Sequence, residues 1–248
     1  MKKYKISIIT ATFNAMAYLP RLVESLRNQD DKDFEWVVAD GSSTDGTLAY
    51  LKSIDDLIIK IVAQEDFGIY DAINRGIKAC SGEFYLVMGA DDILYPNAIA
   101  DYKVGIERGG DVITAVVNGR KKVYRPGGRW PCIFGYGTGY YVSAHSVGAV
   151  FKVSLHKDFG YYSKKYPIAA DQLFIIRVGR ADKNIVFIDR TVGEFGDEGV
   201  SSSDLLGSFL ESYRVRIETG QNKLLQTFIF ILRLVKNYNH LLNDSKYN

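Results

Sequence analysis

The feature that most constrains the fold is a regular alternation of short apolar runs and amphipathic segments between residues 5 and 92. Runs rich in β-branched residues have the length of buried strands, at 6–13, 34–39, 57–62 and 84–88. Between them, apolar side chains recur at helical spacing, at 19–26, 47–54 and 69–80. This alternation predicts an α/β fold with a mostly parallel central sheet and helices on both faces.

Two acidic turns follow two of these predicted strands. Residues 40–47 read DGSSTDGT after the second strand, and residues 89–92 read GADD after the fourth. The carboxyl ends of parallel strands meet at one edge of a sheet, and ligands bind in the crevice there. Carboxylates in that crevice suit a divalent cation and the ribose or base of a nucleotide. Each turn also has a purely structural interpretation, because Asp-Gly turns are common and Asp caps helices.

After residue 92 the alternation loosens and the predicted elements become shorter. Helical patterns occur at 96–107 and 171–180, and again from about residue 204. Short strands are predicted at 111–117, 121–125, 149–152 and 185–188. The first two of these would form a hairpin around Asn118 and Gly119. The segment 125–141 is rich in glycine and aromatic residues, which predicts a long loop of a kind that is often functional.

Composition and charge exclude several classes of protein. The chain has 248 residues and a formal net charge of +2, which gives no case for nucleic acid as the main partner. Its two cysteines, Cys80 and Cys132, exclude a disulfide-dense scaffold and fit a reducing cytosol. The start of the chain has the outline of a signal peptide, but Ser7, Thr10 and Thr12 interrupt its apolar core and favour a first strand. No run has the uninterrupted apolar length of a membrane span.

Four motifs, taken in order, resemble those of the family-2 glycosyltransferases. They are residues 7–14 (SIITATFN), 40–47 (DGSSTDGT), 66–76 (DFGIYDAINRG) and the pair 91–92 with Gly82 before it. The resemblance extends from about residue 5 to about residue 200. It implies the GT-A fold, an α/β nucleotide-binding domain, and a non-processive transferase of the kind that builds bacterial surface polysaccharides.

The resemblance gives the two acidic turns separate roles. It implies that Asp40 accepts a hydrogen bond from the nucleobase, and that Asp92 binds Mg²⁺ or Mn²⁺ at the departing diphosphate. Asp91 would contact the ribose or the water shell of the metal. Ala90 replaces the leading aspartate of the family's DxD motif. Asp45 is expected to close the turn or to cap the next helix.

Further donor contacts are expected from the first strand and from the helix at 69–80. Asp71, Asn74 and Arg75 lie at i, i+3 and i+4 and therefore share one helix face. The family places this segment beside the nucleotide, while Arg75 fits an ordinary surface ion pair equally well. The expected donor-binding residues are Thr10, Thr12, Asn14, Asp40, Asp71, Asn74 and Asp91.

The reaction also requires a carboxylate that faces the acceptor. Residues 169–173 (AADQL) resemble the family's later acidic motif, which makes Asp171 the expected catalytic base. Its alternative role is the N-cap of the helix at 171–180. His145, Trp130 and Tyr140 are expected to contact the acceptor or the diphosphate. The alternative for these three is structural, since a lone histidine and loop aromatics usually belong to packed cores.

The segment 221–242 has a continuous apolar stripe at helical spacing, which predicts an amphipathic helix. Lys223, Arg233 and Lys236 interrupt any membrane span there. Such a helix packs on its own domain, pairs in a dimer or lies on a membrane surface. The sequence leaves these three roles open.

The resemblance implies an inverting, metal-dependent hexosyltransferase that moves a sugar from a nucleotide donor to a saccharide or polyprenyl-linked acceptor. UDP is the first expectation for the nucleotide, and the cytoplasm, with contact to the inner face of the membrane, for the location. The expected domains are 1–200, with a nucleotide-binding half at 1–92 and an acceptor half at 93–200, and a helical appendage at 201–248. The alternative is a catalytically silent nucleotide- or glycan-binding module on the same fold, which the alanine at position 90 keeps open.

Overall fold

The computed structural model describes residues 5–120, 122–127, 137–196, 204–239 and 241. In this part of the chain nine strands form one sheet. They are β1 Ile6–Thr12, β2 Phe34–Asp40, β3 Ile59–Ala63, β4 Phe84–Val87, β5 Ile93–Leu94, β6 Val112–Gly119, β7 Val123–Tyr124, β8 Ala149–Lys152 and β9 Ile185–Phe195. The strand order is β3-β2-β1-β4-β8-β6-β9-β5, with β7 paired to β6.

Helices connect the strands and cover both faces of the sheet. They are α1 Leu19–Arg27, α2 Thr47–Lys52, α3 Ile69–Ala79, α4 Ala98–Glu107, α5 Leu155–Phe159, α6 Ala170–Arg180, α7 Leu205–Glu218 and α8 Lys223–Lys236, with a 3-10 turn at Thr138–Tyr140. The predicted alternation of strands and helices over the first four strands is confirmed.

The first half of the sheet is parallel and aligns the ends of its strands. β1 pairs with β2 in register from Ile6 opposite Phe34 to Thr12 opposite Asp40. β1 also pairs in parallel with β4, and β2 with β3. The turns that follow β1, β2 and β4 therefore lie at one edge of the sheet, as the sequence predicts.

The second half of the sheet is mixed. β8 runs antiparallel between β4 and β6, while β9 runs parallel to β6. β9 extends to Phe195, well beyond the predicted end at residue 188, because two register shifts against β6 let it continue past a polar stretch. The predicted hairpin is confirmed by the pairing of Val117 with Tyr124.

The core lies on both faces of the sheet. On one face Leu22 of α1, Trp36 of β2 and Tyr102 of α4 are fully buried. On the other, Ile73 of α3 and Phe174 of α6 pack against the sheet. The expected α/β architecture with helices on both faces is thereby confirmed.

Several short elements differ from the sequence-based expectation. β5 and α5 were not predicted, because they span only two and five residues and show no usable periodicity. α4 begins at Ala98 rather than at residue 96, because Pro96 and Asn97 lie in the turn before it. In the predicted loop at 125–141, Trp130 lies outside the described residues.

The carboxyl-terminal helices pack on the sheet domain through α7. Glu211 of α7 accepts hydrogen bonds from the backbone N–H groups of Ile168 and Ala169, each at 2.9 Å. Glu218 forms ion pairs with Lys165 and Arg177, at 2.6 and 3.0 Å. Among the described residues, no helix has the length and hydrophobicity that crossing a bilayer requires.

Candidate active site

The turn after β2 is built around the carboxylate of Asp40. Its Oδ2 accepts from the hydroxyl groups of Thr12 and Ser43, both at 2.7 Å, and its Oδ1 accepts from the Ser43 backbone N–H at 2.8 Å. Asp40 has no exposed surface. Its carboxylate therefore ties the ends of β1 and β2 together, and contact with a nucleobase would require this turn to open.

The turn after β1 is hydrogen-bonded to the turn after β2. Asn14 has a φ of 48°. Its side-chain oxygen accepts from the Thr44 N–H at 2.9 Å, and its own N–H donates to the Ser43 hydroxyl at 2.8 Å. Asp45 accepts from the N–H and hydroxyl of Thr47 at the start of α2, at 3.0 and 2.6 Å, as its expected structural role requires.

Thr10 lies in the core rather than at the edge. Its hydroxyl accepts a hydrogen bond from Trp36 Nε1 at 3.0 Å, and the residue is fully buried. Thr10 and Thr12 share one face of β1, but Trp36 occupies the space in front of Thr10. We therefore assign Thr10 to the core, against the expectation of a donor contact.

Arg75 of α3 brings a positive charge to this edge. Its Nη2 donates to the carbonyl oxygen of Asp40 at 3.2 Å and lies 3.8 Å from Asp66 Oδ2. Its Nη1 lies 3.9 Å from Asp71 Oδ2. The Nε atom of Arg75 is buried without a hydrogen-bond partner in the described part of the chain. Arg75 thus forms the predicted ion pairs and lies beside the β2 turn, while its contact with a nucleotide stays a prediction.

The other two residues of this helix face have different surroundings. Asp71 pairs with Lys164 at 3.0 Å, and this hydrogen bond holds the pKa of Asp71 below its usual value. Asn74 is buried and binds the backbone of Tyr162 twice: its Nδ2 donates to the carbonyl at 2.8 Å, and its Oδ1 accepts from the N–H at 3.0 Å. Because Asn74 is buried and both ends of its amide bind the backbone of Tyr162, we assign it to the scaffold rather than to donor binding.

Asp91 and Asp92, after β4, differ sharply in exposure. Asp92 is only 2% exposed; its Oδ1 accepts from the Gly196 N–H at 2.7 Å. Its Oδ2 accepts from the Gly89 N–H at 2.6 Å and from the Ser146 hydroxyl at 2.5 Å. Burial raises the pKa of Asp92 to about 6. Asp91 instead lines a cleft of ≈ 700 Å³. The metal is expected at Asp92, yet Asp91 is the more accessible carboxylate of the two.

The donor set around this turn fits a hard divalent cation with few protein ligands. In the described ranges no three His, Cys, Asp or Glu side chains converge into a complete metal site. Mg²⁺ and Mn²⁺ are commonly held by one or two carboxylates together with substrate phosphates, which matches an accessible Asp91 backed by Asp92.

Asp171 lies in the first turn of α6, where Ala169 is the N-cap residue. Its Oδ1 accepts a hydrogen bond from the Tyr70 hydroxyl at 2.7 Å. Burial, with the nearby charge of Asp171, raises the pKa of Tyr70 well above its ordinary value, so the phenol remains a donor. Asp171 makes no capping bond; Glu211 instead binds the N–H groups before α6. In the described chain, no hydrogen bond is made to Asp171 Oδ2.

His145 stands at one end of a buried chain of hydrogen bonds. Its Nε2 lies 2.7 Å from the Tyr162 hydroxyl, which lies 2.8 Å from the Tyr85 hydroxyl. Tyr85 lies 2.9 Å from His156 Nε2, and His156 Nδ1 lies 2.9 Å from the carbonyl oxygen of Gly160. We call these four side chains the His–Tyr chain.

The geometry of the His–Tyr chain fixes the position of each proton. A carbonyl only accepts, so His156 Nδ1 carries a proton, and burial lowers the pKa of His156 and keeps it neutral. Tyr85 must then donate to His156, and Tyr162 to Tyr85. His145 therefore donates from Nε2 to Tyr162, and its Nδ1 is an acceptor. Burial also lowers the pKa of His145, although the charge of Asp171 raises it in part.

The aromatic residues of the predicted loop have a partly structural role. Tyr141 is 9% exposed and packs directly against Gly179 of α6, where an added Cβ would lie 2.3 Å from its ring. Tyr140 packs edge-to-face on Tyr141, with ring centroids 5.0 Å apart. Tyr140 therefore lies next to the core of α6, which is the helix that carries Asp171.

Sequence reasoning missed several residues of the site. Tyr70 lies in the motif at 66–76, directly before Asp71, but its sequence context alone does not indicate a role. Ser146 reaches Asp92 from a separate segment, and only its position beside His145 could have indicated it. Phe13 and Phe67 are 67% and 86% exposed at the edge where β1 ends and α3 begins. Phe13 lies against Gly41 of the β2 turn, and Phe67 follows Asp66, which pairs with Arg75 beside that turn.

A doubly covered, half-parallel sheet with an acidic crevice at the ends of β1, β2 and β4 defines a glycosyltransferase of the GT-A type. The family model described as "Glycosyl transferase family 2" matches residues 7–143, and the chain belongs to this family. An uncharacterized glycosyltransferase of Mycobacterium tuberculosis is 31% identical over 203 residues, which are 79% of this chain and 77% of that protein. A PGL/p-HBAD biosynthesis glycosyltransferase of Mycobacterium bovis is 42% identical over 93 residues, but these are only 36% of either chain.

Solved structures share the fold at low sequence identity. TarS of S. aureus in complex with UDP-GlcNAc has a TM-score of 0.69 and 23% identity, covering 95% of this chain and 73% of that one. The mannosyltransferase PcManGT of Pyrobaculum calidifontis, in complex with GDP-Man and Mn²⁺, has a TM-score of 0.68 and 17% identity, covering 96% and 72%. The expected GT-A fold and the expected glycosyltransferase class are both confirmed.

Proposed function

We propose that this glycosyltransferase moves a sugar from a UDP-sugar to a hydroxyl group of a saccharide or lipid-linked saccharide, with inversion at the anomeric carbon. The observation that carries the proposal is the state of Asp171. One of its oxygens is held by Tyr70, and the other makes no hydrogen bond in the described chain. A positioned carboxylate with an available oxygen is what an acceptor hydroxyl needs as a base.

The donor would bind across the edge formed by the turns after β1, β2 and β4. Phe13 and Phe67 offer exposed rings to the nucleobase, and Asp91 offers a carboxylate to the ribose. Arg75 supplies a positive charge beside the β2 turn. Asp40, Thr12 and Asn14 support this edge by holding the two turns in register.

In the chemical step, Asp171 Oδ2 takes the proton of the acceptor hydroxyl as its oxygen attacks the anomeric carbon. The new glycosidic bond forms on the face opposite the leaving group, and the bond to the diphosphate breaks in the same displacement. The nucleoside diphosphate departs with the electron pair. Tyr70 keeps the other carboxylate oxygen fixed, so that the proton goes to the oxygen that faces the acceptor.

Asp91 and Asp92 would hold Mn²⁺ or Mg²⁺, which neutralises charge on the departing diphosphate when it is bound. Asp91 lines the cleft, and Asp92 would exchange one of its three hydrogen bonds for the metal. His145 would accept a hydrogen bond at Nδ1 from a substrate hydroxyl, and Tyr140 would border the acceptor. We further propose a role in surface-polysaccharide synthesis on the cytoplasmic side of the membrane.

A catalytically silent nucleotide- or glycan-binding module is the second candidate. The saturated, buried carboxylate of Asp92 favours it, together with the alanine at position 90. Such a module would bind the nucleotide through the same edge without turning it over.

A thermal-shift screen of nucleotide sugars, with and without Mn²⁺, tests the donor and the metal together. A bound ligand raises the melting temperature by mass action, and we expect the largest rise for one UDP-sugar with Mn²⁺. The Asp92→Ala variant should lose the part of the rise that depends on Mn²⁺. Unchanged donor turnover in Asp92→Ala would show that Asp92 does not hold the metal. Nucleotide binding with no transfer to any acceptor would favour the silent module.

A further inference from the structure

Helix α8 exposes a continuous apolar face that none of the described residues covers. The exposed side chains recur at i, i+4, i+7, i+8, i+11 and i+14, so they lie along one side of the helix. We call this surface the outer stripe; it consists of Leu224, Phe228, Ile231, Leu232 and Val235 of α8 and of Tyr238 just past its end. Each of these residues is at least half exposed, and Leu224 reaches 84%. A contiguous apolar row of this kind on a folded protein marks an interaction surface.

The opposite side of α8 holds the helix on the protein. Gln226 is buried and accepts a hydrogen bond from Arg216 of α7 at 3.3 Å. The Tyr213 and Phe230 rings pack at a tilt of 35° with their centroids 5.3 Å apart, and the Tyr213 hydroxyl lies 3.0 Å from that of Thr227. This helix therefore packs on α7, its neighbour in the carboxyl-terminal segment, and the three roles predicted for it, on its own domain, in a dimer or on a membrane, stay predictions. The apolar side is left for another partner.

Charges on α8 favour a negatively charged partner. Lys223, Arg233 and Lys236 are its charged residues, and no aspartate or glutamate occurs from residue 219 to residue 239. At roughly 100° per residue, Lys223 and Lys236 lie about 100° to either side of the outer stripe. Lysines in these positions can extend past an apolar surface to reach anionic groups above it.

A second copy of this chain is a poorer partner for the outer stripe. Symmetric pairing would place the same patch of each copy against the other. The lysines that border the stripe would then face further basic residues, with no acidic residue on either helix to pair with them. A lipid surface supplies both an apolar layer for the stripe and negative charge for the lysines.

We propose that α8 lies flat on an anionic lipid bilayer, with the outer stripe inserted at the boundary of headgroups and acyl chains and Lys223 and Lys236 at the phosphates. The helix is joined through α7 to the segment just before Asp171, because Glu211 holds Ile168 and Ala169. Binding to the bilayer would therefore bring the candidate base helix to the membrane surface. The contact does not depend on the proposed reaction.

Vesicle co-sedimentation of the full 248-residue chain, without any sugar nucleotide, tests the proposal. We expect binding to vesicles that contain phosphatidylglycerol and much weaker binding to pure phosphatidylcholine. Ile231→Glu should weaken the binding at least about tenfold, because it removes an apolar side chain that the bilayer would bury and adds a negative charge. The matched control is Ile58→Glu, since Ile58 and Ile231 are 52% and 51% exposed and Ile58 lies far along the chain, before β3. This control should bind like the unmodified protein.

The double variant Lys223→Gln with Lys236→Gln removes both border lysines. It should weaken binding to the anionic vesicles about thirtyfold, which is roughly fivefold for each lost charge. Equal melting temperatures will show that the exposed substitutions leave the fold intact. Absence of vesicle binding, or equal loss in Ile231→Glu and Ile58→Glu, would overturn the proposal. A lipid-free dimer in sedimentation equilibrium that Ile231→Glu dissociates would also overturn it, in favour of self-association.

Discussion

Asp40 and Asp171 are two carboxylates of the candidate site that the structure holds in opposite ways. Asp40 accepts three hydrogen bonds from Thr12 and Ser43 and has no exposed surface. Asp171 accepts one hydrogen bond, from Tyr70, and is only partly buried. A saturated carboxylate stabilises a turn, whereas a carboxylate with an available oxygen can exchange a proton. Substitutions at the two positions should therefore affect different measurements.

The largest expected effect is on catalysis at Asp171. Asp171→Asn keeps the shape and the bond from Tyr70 but cannot take a proton from the acceptor. We expect the transfer rate to fall by about 10²–10⁴-fold, the usual contribution of a general base. The free energy of unfolding, measured by urea denaturation, should change by less than about 1 kcal/mol. Full transfer activity in this variant would show that Asp171 is not the base.

At Asp40 the expected effect is on stability. Asp40→Ala leaves the Thr12 hydroxyl and both Ser43 donors without their acceptor in a buried turn, which should cost about 3 kcal/mol in free energy of unfolding. Urea denaturation measures this change. Asp45→Ala is the matched control from the same turn. It removes an exposed acceptor at the start of α2 and should cost much less stability than Asp40→Ala. Equal losses at the two positions would contradict the contrast in burial.

The Tyr70 hydroxyl holds the carboxylate of Asp171, the proposed base, so removing this hydroxyl should affect the rate of transfer through the position of Asp171. Tyr70→Phe deletes the hydrogen bond to the Asp171 carboxylate, and we expect kcat to fall about tenfold with the acceptor KM nearly unchanged. Tyr166→Phe is a suitable control, because its hydroxyl binds Glu218 at 2.7 Å instead. If both variants lose the same activity, the bond from Tyr70 has no special part in catalysis.

The smallest expected effect arises from the His–Tyr chain. Tyr85→Phe frees the Tyr162 hydroxyl to donate to His145 Nε2, so the proton of His145 should move to Nδ1. Nitrogen-15 NMR of labelled histidine distinguishes the two tautomers directly. Transfer should slow only a few-fold, in keeping with one altered hydrogen bond. An unchanged tautomer of His145 would refute the proton order derived for the chain.

The first half of the fold could be predicted because local patterns determine it. The apolar runs at β1, β2 and β4 are short, uninterrupted and separated by helical spacing, and parallel pairing then brings the acidic turns to one edge. The helix that carries Asp171 could also be predicted, while the role of Asp171 as the base stays a prediction. These features depend on residues that are close together in the sequence.

The remaining features depend on contacts between distant segments. Asn74 contacts Tyr162, 88 positions away, and Asp92 contacts Gly196, 104 positions away. The local sequence around Asn74 or Asp92 therefore does not show whether the side chain faces a ligand or the core. The insertion of β8 between β4 and β6 has the same origin. Thr10 illustrates the limit of periodicity: it shares a face with Thr12, yet Trp36 of the neighbouring strand encloses it.

The most direct test of the account is proton NMR of the products formed from a UDP-sugar, Mn²⁺ and a saccharide acceptor. Single displacement with Asp171 as base predicts a glycoside of inverted anomeric configuration, released together with an equal amount of UDP. A product that retains the donor configuration would contradict the inverting mechanism. Release of UDP with no glycoside formed would contradict transfer to an acceptor hydroxyl.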